Sequence, residues 1–350
     1  MKTWIALLGT FALAFAGCGK KKEEAPAGGG AAPGGEVTLN ASGSTFQKAF
    51  QEEAIAAFTK AHSNVKINYG GGGSGKGRQD LADMVTDFAG SDSAYKDADL
   101  GKNKGGDVLY FPILLGAISI TYNVDGVDKL QLSPETLAKV FQREITKWND
   151  PAIAADNPGA KLPASDIVVV HRADGSGTTD NFTKYLDGAS AGAWKLKSGS
   201  TVEWPADTQA GQGNGGVAQI VKSTAGAIGY VDLSDAKASG LKYASIKNSA
   251  GKYVEPTAES ASAAGDGIEV KDNLTFSALN AKGDAAYPIT YQSWVIVYAK
   301  QADKAKGDAL KAYLKYMLTD AQQLLPPLDF APLPKSLADK AVAQLDKISG

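Results

Sequence analysis

The segment His171-Arg-Ala-Asp-Gly-Ser-Gly-Thr-Thr179 lies between two stretches of different periodicity, Asp166-Ile-Val-Val-Val170 and Asp180-Asn-Phe-Thr-Lys-Tyr-Leu186. The β-branched first stretch predicts a buried strand, and the apolar spacing of the second predicts the start of a helix. A glycine-rich turn between a strand and a helix directs backbone N–H groups outward at the positive end of the helix dipole. The segment therefore predicts an α/β unit with an anion site at the start of its helix.

The side chains of this segment supply further donors for an anion. Ser176, Thr178 and Thr179 carry hydroxyls, and Arg172 carries a positive charge on a fork of N–H groups that suits an oxyanion. The alternative is a tight connection with an N-cap threonine and no ligand. A nucleotide-binding loop is excluded because no lysine follows the second glycine, and the Gly-x-Ser-x-Gly pattern of a serine hydrolase fails at Asp174 and Thr178.

The same order of strand or apolar step followed by a polar turn recurs earlier in the chain. The four polar turns cover residues 42–46, 70–77, 87–93 and 171–179. Strands are predicted before the first two, over residues 36–41 and 65–69. Because ligands of open α/β sheets bind beyond the carboxyl ends of strands, we expect the four turns to meet as one ring of donors. Arg172 and Asp92 are its charged members.

Helical spacing follows two of these turns. Apolar residues within 46–61 recur as one helical face, and a second helix is predicted near residues 78–86 with Leu81 and Val85 facing inward. Lys76 lies in the glycine-rich loop before the second helix, where we expect it to face solvent.

Strands and helices alternate through the rest of the chain. Residues 111–115 and 117–122 read as two buried strands, and a helix follows with Ser133 as its N-cap and a proline at its first position. Another glycine-rich helix start, residues 211–216, is expected near the cleft, and residues 289–298 are predicted as a late strand. This alternation predicts the α/β class.

The N-terminus has the layout of an export signal. A short basic start, an apolar stretch and small residues precede Cys18, which is the only cysteine, so residues 1–17 are predicted to be a signal peptide. The segment resembles a bacterial lipobox, in which the cysteine is lipidated, although Phe15 stands where leucine is usual. The alternative is an ordinary signal peptide with a chance cysteine. Residues 18–35 lack hydrophobic periodicity and are predicted to be a lipidated flexible tether.

Composition excludes several classes of function. The formal net charge is −2, and no basic patch indicates a nucleic-acid partner. His62 and His171 are the only histidines, which leaves little for a zinc site or a Ser-His-Asp triad. We therefore expect no metal and no cofactor. A length of 350 residues exceeds what one hydrophobic core usually holds, so two domains are expected.

Six short segments together resemble the phosphate-binding proteins of bacterial phosphate-specific ABC transporters. They are Ser42-Gly-Ser-Thr-Phe46, Gly73-Ser74, Asp87-Phe-Ala-Gly-Ser-Asp92, Arg172-Ala-Asp-Gly-Ser-Gly-Thr178, Gly226-Ala-Ile-Gly-Tyr230 and Tyr287-Pro-Ile-Thr290. Their order and separations fit from about Val37 to the C-terminus, and the run that begins at Arg172 is the most specific.

The resemblance implies a class II periplasmic-binding-protein fold, in which two α/β lobes enclose a ligand cleft. Lobe I would comprise residues 36–120 plus 291–350 and lobe II residues 121–290, with hinge crossings near Thr121 and Ile289. It also implies a monomer on the periplasmic face of a bacterial membrane, held there only by its lipid anchor. Its partners would be inorganic phosphate and the permease and ATPase subunits of a phosphate importer.

The resemblance further implies which residues contact the ligand. Backbone amides and hydroxyls would come from Ser44, Thr45, Phe46, Ser74, Ser176, Gly177 and Thr178. Asp92 would accept a proton from the ligand, and Arg172 would pair with the anion and with Asp174. The chain departs from the family pattern at His171, where a second basic residue is frequent, and at Gly75-Lys76, where the family has serine and glycine.

Three alternatives stay open at this point. The protein could bind another tetrahedral oxyanion, sulfate or molybdate. It could be a secreted phosphohydrolase, although we expect no enzyme because the nucleophile–base pair or metal-activated water that hydrolysis needs is not indicated. Asp92, finally, could serve only as a helix cap, a common role for aspartate in a Gly-Ser-Asp-Ser turn.

Overall fold

A computed structural model describes residues 35–350, which fold as mixed α/β. The strands are β1 (Val37–Gly43), β2 (Val65–Gly70), β3 (Phe88–Ser91), β4 (Val108–Asn123), β5 (Gln131–Leu132), β6 (Val168–Arg172), β7 (Gln209–Gly211), β8 (Ala227–Asp232), β9 (Lys242–Tyr243), β10 (Ser245–Lys247), β11 (Tyr253–Val254) and β12 (Thr290–Tyr298). The predicted signal peptide, Cys18 and the tether up to residue 34 lie outside the described residues.

Helices follow most of the strands, as the alternation predicts. The α-helices are α1 (Lys48–Ala61), α2 (Ser74–Ala82), α3 (Asp97–Leu100), α4 (Pro134–Phe141), α5 (Pro151–Asp156), α6 (Gly177–Ala189), α7 (Gly213–Ser223), α8 (Leu233–Ala238), α9 (Ala258–Gly265), α10 (Lys304–Leu318) and α11 (Lys335–Gln344), and short 3-10 helices occur at Asp320–Leu324, Pro326–Leu328 and Leu345–Lys347. The predicted cap of α4 is confirmed, since the Ser133 side chain accepts from the Thr136 N–H. Within residues 35–350, no helix is both long and apolar enough to cross a bilayer.

One large sheet carries the functional turns. Its strand order is β2-β1-β3-β12-β4-β8-β6-β7, with β9 also paired to β4, and a small second sheet has the order β11-β10-β5. β1 is parallel to β2 and β3, and β6 is parallel to β7 and β8. The carboxyl ends of β1, β2 and β6 lead into three of the polar turns named above, as expected for an α/β ligand site. The prediction of a polar turn over residues 87–93 is wrong for Phe88–Ser91, which form the buried strand β3, and Asp92 follows directly at its carboxyl end.

The long strand β4 joins the two halves of the sheet. It pairs with β12 from Val108 to Ala117 and then with β8 from Ile118 to Asn123. The prediction of two separate strands is therefore wrong. Gly116 separates the two apolar runs in the sequence, but the strand continues through it. Glycine stands there because a side chain would collide with the Phe46 ring.

The strand β12 begins beside the point at which β4 changes partner. The Ile118 N–H donates to the Ile289 carbonyl at 2.9 Å, and the Tyr287 hydroxyl donates to the Ile118 carbonyl at 2.8 Å. The chain thus passes between the two halves of the sheet at two adjacent, hydrogen-bonded points.

Helix α2 begins and ends four residues earlier than the spacing predicts. It starts directly after the glycine-rich turn, at Ser74, and ends at Ala82. Met84 then adopts a left-handed backbone with φ 61°, which ends the helix, and Val85 is 68% exposed instead of facing inward. Leu81 is buried as predicted. The early start places the first turn of α2 at the candidate site.

Candidate functional site

Asp92 is a buried carboxylate surrounded by serine hydroxyls. Its side chain accepts from Ser44 Oγ at 2.6 Å, Ser74 Oγ at 3.1 Å and Ser293 Oγ at 2.5 Å, and the residue is only 1% exposed. The nearest following helix, α3, has Lys96 as its N-cap residue. The interpretation of Asp92 as a helix cap is therefore wrong.

Burial and the neighbouring groups shift the pKa of Asp92 in opposite directions. The pKa of its carboxyl is raised, because burial takes the charged form out of water and outweighs the hydrogen bonds from Ser293, Ser44 and Ser74 and the charge of Arg172, which lower it. These donors favour the carboxylate form, which can only accept hydrogen bonds. The site is thus built to receive a proton donor.

Arg172 is held at the carboxyl end of β6 by an acidic partner. Its Nε donates to Asp174 Oδ1 at 2.8 Å and its Nη2 to Asp174 Oδ2 at 2.5 Å, while Nη1 donates to Asn214 Oδ1 at 2.8 Å and to Thr178 Oγ1 at 3.3 Å. Within residues 35–350, these contacts engage four of the five guanidinium N–H groups and leave one on Nη2 open to a further acceptor. Although burial alone would raise it, the pKa of Asp174 lies below its usual range because Arg172 pairs with it.

The first turn of α6 presents open backbone donors beside this pair. Ser176 is the N-cap and accepts from the Thr179 N–H at 3.1 Å. The N–H groups of Gly177 and Thr178 precede the first intrahelical bond, which the Asp180 N–H makes to the Ser176 carbonyl. This helix end therefore offers two backbone donors and the positive end of its dipole to an anion.

The turn at residues 44–46 completes the cluster from the other half of the sheet. The Phe46 N–H donates to Ser44 Oγ at 3.0 Å, and Thr45 Oγ1 accepts from the Asn214 N–H at 3.3 Å. The Phe46 ring packs against Tyr291 with centroids 4.1 Å apart, which anchors the turn on β12. The structure thus brings together the residues that the resemblance implied, namely Ser44, Thr45, Phe46, Ser74, Asp92, Arg172, Asp174, Ser176, Gly177 and Thr178.

Several contacts join the two sides of this cluster. The Gly75 N–H donates to the Gly175 carbonyl at 2.8 Å, and Asn181 Nδ2 donates to the Asp92 carbonyl at 2.7 Å. A Cβ on Gly177 would lie 2.7 Å from the Asp92 Cβ and would collide with Ser74 Oγ. The two sides are therefore closed against each other, with glycine at the closest approach.

Sequence reasoning missed two residues that contact the charged groups. Ser293 lies 201 residues after Asp92, in the middle of β12, and the polar pair Gln292-Ser293 within an otherwise mostly apolar strand was the available signal. Asn214 bridges Arg172 to Asp232, whose Oδ2 accepts from Asn214 Nδ2 at 2.8 Å. Its position in the glycine-rich start of α7 confirms that this segment lies at the cleft.

At the two departures from the family pattern, His171 and Gly75-Lys76, the side chains have partners other than the side chains of Arg172 and Asp174. Lys76 is exposed, as predicted, and pairs with Asp80 at 2.6 Å. His171 stacks on Trp204 with centroids 5.0 Å apart, and its Nδ1 lies 2.9 Å from the Arg172 carbonyl oxygen. Burial lowers the pKa of His171, which favours the neutral ring.

The cluster can bind a small oxyanion that still carries a proton. The Arg172 guanidinium and the N–H groups at the start of α6 can donate to an anion, and Asp92 can accept an O–H from it. In residues 35–350 no group of three or more His, Cys, Asp or Glu side chains could hold a metal ion.

Comparison with known proteins gives the family. Residues 26–321 match the model of the PBP superfamily domain. A protein named "Phosphate-binding protein PstS" from Xylella fastidiosa (strain 9a5c) is 36% identical over an alignment that covers 88% of this chain and 84% of that protein. "Phosphate-binding protein PstS 3" from Mycobacterium leprae (strain TN) is 37% identical over an alignment that covers 96% of this chain and 95% of that protein.

A solved structure shows the same fold. The X-ray structure described as a phosphate binding protein from Stenotrophomonas maltophilia superposes with a TM-score of 0.71 at 18% identity, over 88% of this chain and 94% of that one. The α/β fold is therefore that of periplasmic binding proteins. From the family model and from relatives above 30% identity over most of its length, the chain belongs to the PBP superfamily and, within it, to the family of proteins named phosphate-binding protein PstS.

Proposed function

We propose that this protein binds inorganic phosphate outside the cytoplasmic membrane and delivers it to an ABC-type phosphate importer. The observation that carries the proposal is a buried carboxylate, Asp92, in one cluster with Arg172 and the open first turn of α6. The names of its relatives support the same ligand.

We propose a part in binding for each group. Arg172, held by Asp174, offers its open N–H and its charge to the anion. We propose that the N–H groups of Gly177 and Thr178 and the hydroxyl of Thr45 donate to the remaining oxygens, whereas the Ser74 hydroxyl donates to Asp92. Asp92 accepts the phosphate O–H, which a fully ionised anion lacks.

Titration of the purified protein with phosphate, sulfate and molybdate tests this function directly. We expect heat of binding with phosphate and none with the other two at matched concentration near neutral pH. Stronger binding of sulfate or molybdate would favour the rival oxyanions. Turnover of a chromogenic phosphate ester would favour a phosphohydrolase, whereas we propose that the protein is not an enzyme and uses no cofactor.

Closure of two lobes around the ligand follows from the position of the contacts. We assign residues 36–120 plus 291–350 to lobe I and residues 121–290 to lobe II, and the hydrogen-bonded crossing at Ile118 and Ile289 supports hinge bending there. Small-angle scattering should show a smaller radius of gyration at saturating phosphate than without it. An unchanged profile under conditions where titration confirms binding would contradict hinge closure.

Replacing Gly177 with alanine should weaken phosphate binding by preventing full closure. The new methyl group would collide with Ser74 and Asp92 only when the two sides meet, and overpacking of this kind corresponds to roughly tenfold or more in affinity. Gly188→Ala is the matched control, because it lies in the same helix and a Cβ there meets nothing within 4 Å. Equal phosphate affinities of the two variants would contradict this close approach.

The membrane anchor is proposed from the sequence of the N-terminus. Cys18 follows small residues and precedes the tether, so we propose that it is lipidated and that the chain is a periplasmic-facing lipoprotein. Cys18→Ala should move the protein from the membrane fraction to the soluble fraction in a cell fractionation. Retention of the variant in the membrane after a high-salt wash would overturn the anchor.

We further propose that the protein is a monomer that docks on the permease and ATPase subunits.

A further inference from the structure

A row of buried polar side chains leads from the far side of lobe I to Asp92. Tyr313 OH donates to Gln51 Oε1 at 2.8 Å, and Gln51 Nε2 donates to Gln47 Oε1 at 2.7 Å. Gln47 Nε2 donates to Ser293 Oγ at 2.7 Å, and Ser293 Oγ donates to Asp92 Oδ1 at 2.5 Å. Every member is buried, and each donates toward the carboxylate. We call this row the Asp92 relay.

The direction of the Asp92 relay is fixed at Gln47. Its Nε2 also donates to the Trp294 carbonyl at 3.0 Å, and a carbonyl oxygen can only accept. The amide nitrogen of Gln47 must therefore face β12, and its second N–H points at Ser293 Oγ. Because Ser293 accepts this bond and has a single O–H proton, that proton is directed to Asp92.

We infer that Gln47 is a positioning residue that sets the selectivity of the site for a protonated oxyanion, by fixing Ser293 as a permanent donor to Asp92. This inference rests on the proposed phosphate binding. With Ser293 donating to Oδ1, the ionised form of Asp92 is favoured, and the acceptor position that the three serines leave on its carboxylate accepts the O–H of the ligand. Without that donor, Asp92 would hold a proton more readily and could donate to a fully ionised anion such as sulfate.

The position of Gln47 supports a role beyond packing. It is completely buried, and its amide gives one N–H to the Trp294 carbonyl and the other to Ser293 Oγ, so the side chain has no alternative partner to turn to. The other titratable groups that act on Asp92 are Arg172, Tyr69 and Tyr291. Of these, only Arg172 is charged near neutral pH, and it favours the carboxylate. A neutral change at Gln47 would therefore reach Asp92 through Ser293, which is the side chain that joins them.

Gln47→Glu tests the relay with little change of shape. A carboxyl group has no N–H to donate to Ser293, competes with Asp92 for the serine proton, and adds a second acidic group that raises the pKa of Asp92. We expect sulfate to compete with phosphate about tenfold better in Gln47→Glu than in the parent at pH 6, with a smaller difference at pH 8. Ser293→Ala, which removes the donor itself, should change competition in the same direction, and Ser293→Thr should restore it.

Gln51→Glu is the matched control. It makes the same substitution one helical turn further from Asp92, and the bond from Gln47 to the Trp294 carbonyl still fixes the direction of the relay. We expect parent selectivity from this variant, with thermal unfolding confirming that all variants are folded. Parent-like competition by sulfate in both Gln47→Glu and Ser293→Ala would overturn the inference, as would an equal loss in Gln51→Glu. Failure of the parent itself to bind phosphate would instead refute the proposed function.

Discussion

Replacing Arg172 with methionine should weaken phosphate binding by at least ~100-fold, because loss of one partner from a buried, hydrogen-bonded charge pair is among the costliest changes at a binding site. The Arg172 guanidinium brings a positive charge to the cluster, and Asp174 holds it in place through two hydrogen bonds. Calorimetric titration with phosphate measures the effect. Arg172→Lys should recover only part of the affinity, since an ammonium keeps the charge but loses the planar fork of donors.

Two further variants separate binding from stability. Arg172→Met leaves Asp174 buried without its partner, which also destabilises the fold. The double variant Arg172→Met with Asp174→Asn should regain thermal stability but not phosphate binding. Arg143→Met serves as the control, because Arg143 pairs with the exposed Asp207 outside the cluster. Parent affinity in Arg172→Met would show that the anion is bound elsewhere.

Asp92→Asn should keep phosphate binding and lose most of the discrimination against sulfate. Near neutral pH, phosphate carries a proton that it can donate to the carboxylate, whereas sulfate would place its lone pairs against the Asp92 oxygens. Sites built around a ligand O–H reject analogues without it by roughly 10⁴–10⁵-fold, because the polar partner is left unpaired. An asparagine can turn its amide N–H toward either anion. Competition of sulfate against phosphate measures the ratio.

Asp180→Asn is the matched control for this change. Asp180 is also buried and also accepts from a serine, Ser93, at 2.6 Å, but its carboxylate pairs with Lys184 at 2.7 Å instead of lying beside Ser44, Ser74 and Ser293. We expect this variant to reject sulfate as the parent does. If Asp92→Asn rejected sulfate equally well, selectivity would lie in the arginine and the backbone donors alone.

The sequence predicts those parts of the site that are local. The turns of residues 42–46 and 171–179 each combine a strand end, small polar residues and a helix start within about ten positions. Their capacity to bind an anion can therefore be predicted from the sequence alone. Their convergence also follows from a general property of α/β sheets, whose parallel strands bring their carboxyl ends to one edge.

The parts that sequence reasoning missed depend on contacts between distant segments. Ser293 reaches Asp92 only because β12 runs antiparallel between β3 and β4, and Gln47 reaches Ser293 across 246 residues. Gly116 looked like a break between strands because its role, making room for the Phe46 ring, exists only in the folded protein. Val85 fits a helical pattern, but the left-handed backbone at Met84 ends the helix before it.

A crystal structure of the protein grown with phosphate tests the central claim most directly. We expect one phosphate ion bounded by the Asp92 carboxylate, the Arg172 guanidinium and the backbone N–H groups of Gly177 and Thr178. One of its oxygens should lie within hydrogen-bond distance of an Asp92 oxygen, and Ser293 should still donate to Asp92 Oδ1. Phosphate bound away from these groups, or with Asp92 out of hydrogen-bond reach, would contradict the account.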